Sequence, residues 1–97
     1  MTYCVYMLRC WPRVKPGQGA SFYIGITNNM ERRFKEHRAG TGGAYTRSRN
    51  VDSFVVLQKG LTCSEALKIE IRTKKLTHDQ KEELWEASMA KRYLVNV

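Results

Sequence analysis

Residues 3–10, YCVYMLRC, carry apolar side chains at both parities. A strand of that kind is covered on both faces and sits in the middle of its sheet. WPRVKPGQGA follows, with two prolines, two glycines and two basic residues, and reads as a loop. In SFYIGI (21–26) alternation sends Phe22, Ile24 and Ile26 to one face and Ser21, Tyr23 and Gly25 to the other. This second strand pairs most simply with the first, antiparallel across the loop.

The period then changes. Asn28 or Asn29 opens a helix, with Asn28 as cap and Glu31 completing a capping box. Met30 and Phe34 form an i, i+4 apolar pair for the core, and Gly40 ends the helix in a left-handed turn. AGTGGAYTRSRN (39–50) is a loop dense in glycine, hydroxyls and arginine, and FVVLQKG (54–60) is a third strand. Thr62 with Glu65 offers a second capping box for a helix to about Leu76. Thr77 with Gln80 offers a third, for a helix to about Tyr93 with Leu84, Trp85, Ala87 and Ser88 on its packing side. Strand, strand, helix, strand, helix, helix describes one small α/β domain over residues 1–97, with a core of about 3–76 and a terminal helix of about 78–93.

The 97 residues allow one compact core and little else. No apolar run approaches the ~20 residues of a membrane span, and Met1-Thr2-Tyr3-Cys4 lacks the layout of a secretion signal. An intracellular protein, cytoplasmic or in the nucleoid or nucleus, is the expectation. Cys4, Cys10 and Cys63 show no metal-binding spacing and read as reduced, small apolar groups. Charge changes the picture more. The net charge is +8, and residues 1–50 hold nine Lys/Arg against two Asp/Glu, whereas residues 51–97 hold eight against seven. One basic face attracts polyanions, and nucleic acid is the commonest inside cells.

Candidate chemistry lies on this frame. If Tyr6 and Tyr23 share a sheet face, two phenols meet above the gap left by Gly25; singly, each is an ordinary amphipathic core residue. Arg33 and His37 stack on one helix flank beside Met30 and Phe34. Most such pairs are solvated surface, yet here an Arg can present donors to a phosphate and a His can hold a proton. Glu70 falls within a stripe of Ala66, Leu67 and Ile71. A carboxylate there is either ion-paired, with Arg33 or Arg72, or a Mg²⁺ ligand.

Together these residues resemble the GIY-YIG nuclease superfamily. Tyr23-Ile24-Gly25 keeps its second tripeptide intact, Cys4-Val5-Tyr6 keeps only the tyrosine of the first, MERRFKEH (30–37) resembles its helix, and SEALKIE (64–70) its glutamate segment. The resemblance covers about residues 3–76. It is similar to short stand-alone bacterial members, and GGAYTRSR (42–49) also resembles the domain of Slx-type structure-specific endonucleases, without their zinc-binding region. It implies the GIY-YIG fold, a three-stranded antiparallel sheet flanked by three helices, and phosphodiester hydrolysis with Mg²⁺ or Mn²⁺. Glu70 would hold the ion and Arg33 would offset phosphate charge. Tyr6 would be the general base, its phenol pKa (normally ~10) lowered by nearby cations. Tyr23 would orient water or phosphate, and His37 would accept a proton from Tyr6 or contact phosphate. DNA repair, recombination and mobile-element chemistry are all compatible with it.

The expected substrate is DNA, possibly branched, recognised by shape rather than sequence. Loops 9–15 and 39–49 flank the site in the predicted order, so Arg9, Trp11, Arg13, Lys15, Arg38, Arg47 and Arg49 are the candidate nucleic-acid contacts, Trp11 by stacking on an unpaired base. The rival readings are a nucleic-acid-binding module without catalysis and a subunit active only with a protein partner or as a homodimer.

Overall fold

The computed structural model describes residues 1–13 and 19–95, with side chains through Lys91; Lys15 therefore lies outside the described residues. The elements are β1 (Tyr3–Pro12), β2 (Ser21–Thr27), α1 (Met30–Ala39), α2 (Ala44–Arg47), β3 (Arg49–Leu61), α3 (Cys63–Lys74) and α4 (His78–Val95). The three strands form one antiparallel sheet in the order β2-β1-β3. Central β1 is covered on both faces, as its unbroken apolar pattern demands: Val5, Tyr6, Met7 and Leu8 are all buried.

Alternation splits the core into two halves. Val5, Met7, Ile24, Val55 and Leu61 pack with Ala66 of α3 and Trp85 of α4. On the other face Tyr6, Leu8, Cys10 and Val51 pack with Tyr23, Phe54 and the α1 residues Met30 and Phe34. The register sets Tyr6 opposite Gly25 and Leu8 opposite Tyr23, so both tyrosines share the α1 face.

Four helices are present among the described residues rather than three, because the glycine-rich loop folds one turn, α2, too short to carry a period. β3 starts at Arg49 rather than residue 54, since β1 runs on to Pro12 and gives the added residues a pairing partner. Asn29, not Asn28, caps α1: its side-chain oxygen accepts from Arg32 N–H at 3.0 Å. Gly40 closes α1 at φ +83°, a left-handed conformation that glycine adopts without strain. Both later capping boxes form, Thr62/Glu65 and Thr77/Gln80.

The packed side of α3 is Ala66, Ile69 and Thr73; Leu67 and Ile71 face solvent, 43% and 54% exposed. On α4, Leu84, Trp85 and Met89 turn inward and Ala87 outward. Among the described residues no helix is long and apolar enough to cross a membrane.

Candidate active site

Gly25 makes the first half of the site possible. A Cβ there would stand 2.5 Å from the Tyr6 hydroxyl, so only a glycine opposite Tyr6 lets the phenol lie across β2. The hydroxyl reaches 2.8 Å from His37 Nε2 on α1. Tyr23 joins from β2, its ring 6.4 Å from Tyr6 and 5.2 Å from His37, centroid to centroid.

His37 is 1% exposed, the one buried side chain of α1. Its second ring nitrogen, Nδ1, lies 2.8 Å from Thr46 Oγ1 on α2. The loop between α1 and α2 closes over the ring so tightly that a Cβ at Gly42 would stand 2.6 Å from Nδ1. Arg33, one helical turn before His37, pins that loop by donating to the Gly42 carbonyl at 2.8 Å, and also pairs with Glu36 at 3.3 Å. Its guanidinium faces the Tyr6 oxygen as well.

The electrostatics correct one expectation. Burial pushes the Tyr6 phenol up to about 12; Arg33 pulls it down, but not far enough, and Tyr23 and Glu70 add to the rise. Desolvation therefore outweighs the cation that was expected to lower it. Burial and the Arg33 charge lower His37 to about 4, so the imidazole is neutral at pH 7.

Glu70 comes from α3. It is largely buried, 17% exposed at the side chain, and pairs with Lys74 at 3.6 Å, not with Arg33 or Arg72. Its charge weighs on the Tyr6 phenol. Among the described residues no three His, Cys, Asp or Glu side chains cluster to hold a metal. One such carboxylate does fit Mg²⁺, which binds through one or two carboxylates and fills its octahedron with water and substrate phosphate.

The flanking residues divide between faces. Tyr45 of α2 stacks on Tyr23 with centroids 5.9 Å apart and donates to Ser21 Oγ at 2.6 Å. Arg49 in turn lies 4.0 Å over the Tyr45 ring, while Arg47 and Arg38 are exposed nearby at the ends of α2 and α1. Arg9 and Trp11 lie instead on the α4 face. Arg9 forms a two-point pair with Asp52 (2.9 and 3.1 Å) and sits over Trp85, and the Trp11 ring N–H donates to the same carboxylate. The strand period is the reason: they have opposite parity to Tyr6, Leu8 and Cys10. Arg13 is exposed just beyond β1.

Thr46, Gly42 and Tyr45 were not singled out from the sequence. Their only signal was the GGAYTRSR string that carries them, since a one-turn helix displays no periodicity.

A model of the GIY-YIG catalytic domain matches residues 2–83. A UPF0213 protein of Enterococcus faecalis is 44% identical over 80 residues, covering 80% of this chain and 83% of that protein. A UPF0213 protein of Cupriavidus necator is 43% identical over 77 residues, 79% of this chain and 76% of that one. One of Oceanobacillus iheyensis is 38% identical over 82 residues, 84% and 87% of the two chains. No solved structure matches. The domain match spans most of the chain and all the polar residues gathered around Tyr6, and on it the chain belongs to the GIY-YIG catalytic-domain family, with UPF0213 proteins as its relatives.

Proposed function

We propose that this chain is a metal-dependent endonuclease that hydrolyses phosphodiester bonds in DNA and selects substrates by structure rather than sequence. Membership of the catalytic-domain family implies nuclease-like activity on nucleic acid. The observation that carries the finer reading is the 2.8 Å contact between the Tyr6 hydroxyl and a neutral, buried imidazole, with Arg33 beside the same oxygen.

Hydrolysis needs a water that loses its proton as it attacks phosphorus, charge relief on the non-bridging oxygens, and support for the leaving oxygen. A free phenolate is not the base: with a pKa of about 12, about one Tyr6 in 10⁵ is ionised at pH 7. A relay serves instead. Tyr6 takes the water's proton as its own passes to His37 Nε2, so neither group carries a full buried charge in the ground state. Arg33 donates to a non-bridging oxygen, and its attachment to Gly42 keeps the guanidinium aimed before substrate arrives. Tyr23 orients the attacking water. Glu70 would hold the Mg²⁺ or Mn²⁺ ion, which when bound supplies Lewis-acid charge to the phosphate.

The deciding experiment is cleavage of labelled linear, flap and four-way DNA with Mg²⁺ or Mn²⁺, comparing wild type with Glu70→Ala. Metal-dependent cuts that fall at least about 10²-fold in the variant support the enzyme. Equal cutting of unrelated sequences with the same branch geometry supports selection by structure. A folded wild type that binds DNA and cuts none of these substrates overturns the reading in favour of a binding module. A subunit that needs a partner is the second reading, favoured by the exposed Leu67 and Ile71 beside Glu70 on α3; cleavage by a purified monomer would remove it.

A further inference from the structure

We infer that Thr46 is a positioning residue: its hydroxyl holds His37 in the Nδ1–H tautomer and so presents a bare Nε2 to Tyr6. Its catalytic consequence rests on the nuclease reading above, but the tautomer itself does not.

The assignment follows from where three hydrogens go. The Tyr6 oxygen faces the Arg33 guanidinium, which donates and never accepts. The Tyr6 proton therefore needs another acceptor, and His37 Nε2 at 2.8 Å is the one in reach. That nitrogen must be bare. A neutral imidazole with a bare Nε2 carries its hydrogen on Nδ1 and donates it to Thr46 Oγ1 at 2.8 Å. Thr46 completes the chain by directing its own hydrogen to the Gly43 carbonyl, at 3.4 Å within the same turn. The opposite tautomer puts Nε2–H against the Tyr6 oxygen and leaves the phenol hydrogen without an acceptor in a side chain only 1% exposed.

The surroundings favour one arrangement too. Thr46 is itself 1% exposed, so its hydroxyl is fixed by protein partners. Gly42 lies close against the imidazole, leaving no space for a side chain there, and Arg33 ties the Gly42 carbonyl back to α1. Arg33, Gly42, Thr46 and His37 thus form a closed circuit around the ring. A serine keeps the hydroxyl; a valine keeps the shape and removes the acceptor.

The test is the nitrogen spectrum of the protein carrying ¹⁵N-histidine, with exposed His78 as internal reference. Wild type is expected to show His37 with a protonated Nδ1 and a bare Nε2. Thr46→Val is expected to populate the Nε2–H form, and Thr46→Ser to restore the wild-type pattern. In the cleavage assay Thr46→Val should lower kcat about 10²-fold, the scale of one general acid–base contribution, with KM within about twofold because Thr46 touches no substrate. A wild-type His37 carrying Nε2–H overturns the inference, as does a Thr46→Val protein with unchanged tautomer and kcat. If Thr46→Val does not fold, Thr46→Ala, which removes the acceptor without adding bulk, takes its place. If the variant shifts the tautomer but wild type cuts nothing, the positioning role stands and the nuclease reading falls.

Discussion

Gly25 and His37 carry consequences out of proportion to their size. Gly25→Ala puts a methyl group against the Tyr6 phenol, which lies in a packed core and has little room to yield. The expected cost is about 1–3 kcal/mol, read by thermal unfolding, together with loss of cleavage as the hydroxyl leaves Nε2. His37 makes stability depend on pH. Its folded pKa, about 4, lies below the ordinary 6.5, so between these values the unfolded chain binds the proton first. Stability should fall by roughly 3 kcal/mol as pH drops from above 6.5 to below about 4. Unfolding of wild type and His37→Gln at several pH values checks this: the variant should lose most of that slope. Above neutrality Tyr6 acts with the reverse sign. Its raised pKa favours the protonated phenol, and that contribution is lost as pH rises from about 10 through about 12.

Most features bound by local rules were legible, the α1 cap at Asn29 in place of an Asn28/Glu31 box being the exception, whereas several made by tertiary pairing were not. The Thr62/Glu65 and Thr77/Gln80 boxes and the Gly40 stop need only residues three or four apart to meet, and all formed. The shared face of Tyr6 and Tyr23 followed from strand parity together with antiparallel pairing. By contrast α2 is one turn long and exists to lay Thr46 on His37, a contact no period announces. The first residues of β3 look like loop until β1 supplies a partner. Leu67 and Ile71 belong to the apolar stripe in the sequence, but α3 packs through Ala66, Ile69 and Thr73 and leaves those two to solvent. Arg9 and Trp11 stand near Tyr6 in the chain and on the far side of the sheet in space. Asp52 shows how settled that side is: burial pushes its carboxyl up, yet bonds from Arg9, Trp11 and Ser53 outweigh this and hold it below the usual range. Asp52→Asn should leave cleavage within about twofold and cost about 1 kcal/mol or less, as expected for a partly exposed pair.

For the molecule as a whole, charge and topology set the behaviour. The +8 net charge predicts DNA binding that weakens steeply with salt. Arg47→Gln and Arg49→Gln, on the Tyr23 side, should each lower the slope of log K against log salt by about 1. Arg9→Gln should leave it unchanged; an equal effect of all three would refute a one-sided surface. Fluorescence anisotropy between 50 and 200 mM salt is the measurement. The position of β1 at the centre of the sheet has a kinetic consequence. Its pairing with β2 crosses one loop, whereas its pairing with β3 joins residues as far apart as Tyr3 and Leu61, 58 positions along the chain (61 less 3). Closing that long loop precedes any reward from the contacts it brings, so the β1–β3 register is the slow commitment in folding. Core substitutions at Val55 should then slow refolding, whereas those at Trp85 should chiefly speed unfolding.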